Sequence, residues 1–352
     1  MKKGLWFFAV TGILALVLTI VRSSGSTSSG VLYVYCYGDY YDPAIVEEFE
    51  KETGIQVIQD TYDTAEELYP IIENNPSRYD VVCTSDYMIG KMEDNDMLAP
   101  LDKDKIPNLK NMDPVYMKKA EEYDPGNTYS VPHACGTAGI MYDSTRAKGV
   151  DFSSWNALWD PKLKNEIVMP DSLRDDYMIA LSRRGYDINT EDPTQLKEAT
   201  SDLIKQKPLV YKYANDSARD LVADGSAIAG VVWNGEYKYI KDLNKNTEFS
   251  VPEEGTEFFI DAWVVPKEAK NKANAMKWIN FLCRGDVAYK NFEYLYYTIP
   301  NTAAYKKMSP EIRNNEAIFP TEETLERCHS LRTLSHDGDA LYSSEWKKVK
   351  GD

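Results

Sequence analysis

Four short stretches carry the residues that could do chemistry. They are "CYGDYYD" at 36–42, "CTSDY" at 83–87, "PDSLRDD" at 170–176 and "WNGEY" at 233–237. Each combines tyrosine, tryptophan, aspartate or glutamate, and Arg174 is the basic exception among them. Ring faces attract an ammonium by about 0.5–2 kcal/mol each. A carboxylate about 4 Å from an ammonium gains on the order of 4 kcal/mol before desolvation is subtracted. Carboxylates gathered in a closed cleft repel one another unless a cation enters. Taken one at a time, such tyrosines are ordinary packing residues and such aspartates are helix caps. Four together point to a ligand that is cationic and carries an apolar body, and a polyamine has both.

The elements that must position these stretches are legible around them. "VLYVY" has strand character, and the helix that follows spans 43–53, with Asp42 as N-cap, Pro43 at the first helical position and Gly54 as the stop. Since one carboxylate suffices for capping, Asp39 is left free. Ile45, Val46 and Phe49 lie at helical spacing. "IQVIQDTY", "YDVV", "GIMY", "EIVM", "IAGVV" and "DAWVVP" have strand length, and helical periodicity separates most of them. In "NKANAMKWINFLCRG", Ala275, Trp278, Ile279 and Leu282 mark a buried helical face. Alternating strands and helices predict an α/β protein with parallel sheets covered by helices. In such sheets ligands bind beyond the carboxyl ends of the strands, and all four stretches lie there. No repeat of fixed period is present.

Composition bounds the alternatives. The chain has 352 residues and 43% hydrophobic content, enough for two domains with real cores. The formal net charge of −16 argues against a nucleic-acid partner. Residues 1–30 read as an export segment. "MKK" is followed by the uncharged run Leu5 to Val21 and then by "RSSGSTSSG". The run is longer than an ordinary signal core and near the roughly 17-residue lower limit for a spanning helix. A cleaved signal and a retained membrane anchor both fit, and either puts the rest of the chain outside the cytoplasmic membrane. The first cysteine, Cys36, lies inside the first strand, which speaks against a lipid-modified cysteine just after the apolar run. The five cysteines show no CxxC, and the three histidines show no ligand spacing with them, so buried free thiols are expected rather than disulfides or zinc.

Several longer stretches are similar to one known family. "YGDYYDP", "PLDKDKIPNL", "VPHACGTAGIMY", "SWNALWDP", "VVWNGE", "FFIDAWVVPK", "KWINFL" and "YYTIPN" resemble the bacterial periplasmic spermidine/putrescine-binding proteins, the solute receptors of polyamine ABC transporters. The likeness runs over about residues 31–350. It implies a two-lobed periplasmic-binding-protein fold of type II, with the ligand cleft between lobes joined by crossover strands. The implied division is 31–135 with 262–301 for one lobe and 136–261 with 302–352 for the other. It also implies a monomeric, non-enzymatic receptor without cofactor, with a polyamine ligand and a membrane permease as partners.

The site residues implied by this resemblance are Tyr37, Asp39, Tyr40, Ser85, Tyr87, Ser172, Asp175, Trp233, Phe259, Asp261 and Tyr297. A late polar contact is implied near Leu331. The sequence departs from the family pattern where it has Tyr37 and Phe259 in place of frequent tryptophan, and Ser172 in place of a frequent aspartate. The first two weaken ring–cation attraction, and the third removes a charge that Asp86 or Asp176 could restore. The preference between spermidine and putrescine is therefore open. The remaining alternatives are a receptor of the same fold for ferric ion, held by tyrosine and carboxylate, or for a sugar stacked on rings. A secreted glycosidase using paired carboxylates has only loose acids in its favour.

Overall fold

Nine strands make one curled sheet in the computed structural model, which describes residues 30–351; the expectation of a signal or anchor falls on residues outside these. The strands are β1 (Gly30–Tyr37), β2 (Ile55–Tyr62), β3 (Val81–Ser85), β4 (Ser130–Asp143), β5 (Ile167–Met169), β6 (Val210–Tyr213), β7 (Ala229–Trp233), β8 (Thr247–Ser250) and β9 (Phe258–Val264). Their order is β2-β1-β3-β9-β4-β7-β5-β6, with β8 on β4. β1 runs parallel to β2 and β3, and β5 runs parallel to β6 and β7. The wholly parallel arrangement expected from the alternation of elements is corrected here. β4 and β9 run antiparallel to their neighbours, so the sheet is mixed.

β4 belongs to both halves of the sheet. Its first part, Ser130–Thr137, pairs with β9, and from Ala138 onward it pairs with β7 and β8. Nearly all of its 14 residues are buried. The β4–β9 register shifts between Pro132 and Ala134. Proline has no N–H for the ladder, and an irregular register is where a sheet tolerates it.

The helices follow the expected starts and stops. Asp42 accepts from the Ala44 N–H and opens the helix Pro43–Thr53; Gly54, at φ 69°, closes it with its own N–H bonded to Glu50 O. Ala275, Trp278, Ile279 and Leu282 are buried on the helix Lys272–Leu282. Trp278 packs edge-on against Phe49, Tyr41 and Trp263 in the core beneath β1 and β9. A second core forms around Trp155, Ile167, Ile179 and Val231. Ala304, Met308 and Ile318 pack into the first core, not the second. The five cysteines are buried and free.

Candidate functional site

The parallel strands β1, β3, β5 and β7 end at one cavity of about 660 Å³. A helix begins just beyond each of these ends, at Pro43, Asp86, Leu173 and Glu236. All eleven sequence-predicted residues line this cavity: Tyr37 at the end of β1, with Asp39 and Tyr40 after it; Ser85 at the end of β3, with Tyr87 after it; Ser172 and Asp175 after β5; Trp233 at the end of β7; Phe259 and Asp261 on β9; and Tyr297 on the segment after the helix Gly285–Leu295. They are not equivalent. Asp39 is exposed at the rim, in a left-handed backbone conformation with φ 51°. Tyr40, Ser85, Phe259 and Asp261 are buried.

The rings form a connected wall. Tyr37 meets Tyr40 edge-on at 5.3 Å between centroids, Tyr40 lies 6.2 Å from Tyr297, and Tyr297 meets Phe259 edge-on at 5.8 Å. Gly235 is required beneath this wall, because a Cβ there would stand 2.5 Å from the Tyr297 ring. Tyr40 is held from behind, where His133 Nε2 lies 3.1 Å from its carbonyl oxygen. Burial keeps the His133 imidazole neutral by lowering its pKa to about 4.

Eleven carboxyl side chains line the cavity against three basic ones. The basic groups are already engaged. Arg219 pairs with Glu236 at 3.2 Å, Arg174 donates to the Arg332 carbonyl and to Asn189 at 3.1 Å each, and Lys238 pairs with Asp242. The acids therefore have little internal compensation. Burial pushes Asp261 up to about 7, against the hydrogen bond that Tyr40 donates to it. Burial also pushes Asp86 up to about 7, opposed by the Tyr87 N–H donated to Oδ1 at 2.8 Å and reinforced by the charge of Asp261. Glu236 is raised by burial, partly offset by Arg219. Asp261 and Asp86 shift as buried carboxyls without a counter-cation do, whereas Glu236 is raised in spite of Arg219.

Several cavity-lining residues escaped the sequence reading. Glu257 lines the cavity and is buried, and its Oε1 accepts from Trp233 Nε1 at 3.2 Å. It stands two residues before Phe259 and four before Asp261, so strand alternation puts all three on one face, and that spacing could have found it. Glu66 accepts from the Tyr87 hydroxyl at 2.9 Å, so it orients that ring. Of the two acids considered as replacements for a charge at 172, Asp86 lines the cavity. Asp176 does not. Its side chain is fully buried away from the cavity, and neither carboxyl oxygen has a hydrogen-bond partner. Near the late contact, Leu331 lines the wall and packs into the second core. Among the described residues no group of three or more His, Cys, Asp or Glu could hold a metal ion.

Comparison with known proteins agrees with this architecture. Residues 44–321 match the family described as bacterial extracellular solute-binding protein. A spermidine/putrescine-binding periplasmic protein of Salmonella typhimurium is 34% identical over 351 residues, covering 99% of both chains. A putative spermidine/putrescine ABC transporter protein from Listeria monocytogenes superposes with a TM-score of 0.87 at 34% identity, over 91% of this chain and 99% of that one. The substrate-binding protein of a spermidine/putrescine ABC transporter from Streptococcus pneumoniae superposes with a TM-score of 0.79 at 33% identity, over 92% and 99%. The chain belongs to the bacterial extracellular solute-binding protein family and has its periplasmic-binding-protein fold.

Proposed function

We propose that this protein is a non-enzymatic, extracytoplasmic receptor that binds a polyamine, spermidine or putrescine, and delivers it to the membrane permease of an ABC transporter. The observation that carries this reading is a cavity walled by adjoining rings and by eleven carboxyl groups against three bases, two of them ion-paired and the third hydrogen-bonded to neutral groups. Rings cover methylenes and attract ammonium groups, and the acids bind those groups in a water-poor site. The names of the relatives in Salmonella and Listeria support the same ligand class.

The eleven lining residues named from the sequence are the proposed contacts. Tyr37, Tyr40, Tyr87, Trp233, Phe259 and Tyr297 supply ring faces. Asp39, Asp175 and Asp261 supply charge, and Ser85 and Ser172 supply hydroxyls. The receptor is proposed to act as a monomer, held in the periplasm or at the outer face of the membrane.

Two lobes closing over the ligand complete the proposal. The two separate cores, and the handover within β4 between Thr137 and Ala138, support a division near the boundaries 31–135 with 262–301 and 136–261 with 302–352. The packing of Ala304, Met308 and Ile318 into the first core supports moving that stretch to the first lobe.

A thermal-shift screen followed by calorimetry tests the ligand class. Putrescine or spermidine should raise the melting temperature at micromolar to millimolar concentrations, whereas ferric ion and neutral sugars should not. Stabilisation by ferric ion or a sugar alone would replace this reading with another receptor of the same fold.

A further inference from the structure

Glu257 is a buried carboxyl on the cavity wall that no other role accounts for. Its side chain is 5% exposed. Oε1 is taken up by Trp233 Nε1 at 3.2 Å, and Oε2 has no hydrogen-bond partner. The carboxyl of Asp175 lies beside it, and the Ser172 hydroxyl lies against Asp175. Glu257 is buried and Asp175 half-buried, and two neighbouring carboxyls in such a place resist ionising together without a cation between them. Trp233 fixes one of them, so the pair has a defined geometry facing the cavity. The neighbouring charged groups oppose this balance at one point, where the charge of Arg174 partly offsets the rise at Asp175. Asp86 and Glu66 are also acids, Arg174 is engaged by Asn189 and the Arg332 carbonyl, Asp176 points away from the cavity, and His329 is exposed, reaching Glu257 only through a backbone bridge.

We propose that Glu257 is the second acid for the terminal ammonium held by Asp175, in place of the carboxyl that the resemblance puts at position 172, and that the Asp175–Glu257 pair surrenders one proton to solvent when that ammonium enters. The inference rests on the polyamine reading above. Burial followed by the charge of Asp175 holds the Glu257 carboxyl well above the ordinary carboxylate range, and burial raises Asp175 as well, which agrees with a shared proton in the empty cavity. Ser172 is then accounted for. An aspartate there would add a third carboxyl to a pair that already holds the ammonium, whereas a hydroxyl adds a neutral hydrogen bond.

The experiment is calorimetry of putrescine and spermidine near pH 7 in two buffers of different ionisation enthalpy, on wild type, Glu257→Gln, and Glu257→Gln combined with Ser172→Asp. Glutamine keeps the shape and an oxygen acceptor for Trp233 but cannot share a proton. Glu257→Gln should bind roughly tenfold or more weakly and release about one proton fewer per ligand than wild type. Asp261 does not act on Glu257, and carrying both proteins on an Asp86→Asn background removes the one cavity acid near 7 that does, so the difference isolates this pair. The double variant should recover most of the affinity, and thermal melts of all three establish that they are folded. A single variant with wild-type affinity and proton count overturns this inference while leaving the receptor reading intact. A double variant that recovers nothing also overturns it, since the loss would then not be one of charge at this end. A wild-type protein that binds neither polyamine overturns both.

Discussion

The Tyr40 hydroxyl donates to Asp261 Oδ2, joining the turn after β1 to β9 across the sheet. The bond places the acid at the centre of the ring wall and leaves its other oxygen for a ligand. It also fixes how the empty protein responds to pH. Burial raises Asp261 from 3.8 to about 7. A carboxyl raised on folding stabilises the native state while it is protonated. That contribution is full below the ordinary value near 4 and is lost as pH rises through 7. Asp261→Asn removes the term. Without ligand, the variant should melt close to wild type at pH 4 to 5 and a few degrees above it at pH 8. With polyamine the order should reverse, because the variant leaves a buried ammonium short of a partner, at a cost of several kcal/mol in binding. Melting curves with and without spermidine at both pH values check this, and near-native affinity in the variant would remove Asp261 from the site.

Trp233 should report ligand entry. Its indole lines the cavity and donates to Glu257. Polyamine addition should change the fluorescence of wild type by an amount that Trp233→Phe largely abolishes. Trp233→Ala should weaken binding by about 1–3 kcal/mol through lost ring contact and water exclusion. Trp233→Phe should lose less, since the ring face survives and only the N–H is lost. A Trp233→Ala protein that is folded and binds normally would assign this tryptophan to packing alone.

The sequence made some features readable and hid others for physical reasons. The helix Pro43–Thr53 was legible to the residue because Asp42, Pro43 and Gly54 each carry a local conformational demand. The four strand ends were legible because ring and acid residues cluster just where apolar runs stop. The direction of β4 and β9 was not, since periodicity carries no information on parallel or antiparallel pairing. The length of β4 was hidden as well. Burial on both faces removes alternation, and Pro132, Gly136 and Gly139 look like breakers, so only "GIMY" stood out of 14 residues. Glu257 was missed because the apolar run was read as a strand only from Asp261, in "DAWVVP", leaving the acid four residues earlier outside its alternation. The family pattern carried eleven residues to the cavity wall, where Leu331 adds an apolar side chain.

Gly235 offers a test of the ring wall that does not touch a charge. Its absent side chain leaves room for Tyr297. Gly235→Ala should displace that ring, destabilise the fold by about 1–3 kcal/mol through overpacking, and weaken polyamine binding. In a Tyr297→Ala background the same substitution should cost much less, since the clash is gone, so the two changes are strongly non-additive. Melting curves of the four proteins give the coupling directly. Equal effects in both backgrounds would mean that Gly235 serves some other purpose than seating Tyr297.

Asp39 and Asp175 are both cavity acids, but they sit at different depths and should fail in different ways. Asp175 stands on the first turn of the helix Leu173–Ser182, beside Ser172 and Glu257, where burial raises its pKa. Asp39 is exposed at the rim. A charge in a water-poor site acts on how long the ligand stays, whereas a solvated rim charge acts on how fast it arrives. Asp175→Ala should therefore cost several kcal/mol of polyamine affinity, mostly as faster dissociation and with little dependence on salt. Asp39→Asn, which keeps a residue type tolerant of the φ 51° backbone, should cost about 1 kcal/mol or less. Its loss should appear in the association rate at low ionic strength and fade as salt is added. Stopped-flow binding at about 10 mM and 300 mM salt, spanning Debye lengths of roughly 30 Å to below 8 Å, separates the two. If Asp39→Asn proves as damaging as Asp175→Ala and equally insensitive to salt, Asp39 is buried by lobe closure and binds an ammonium directly.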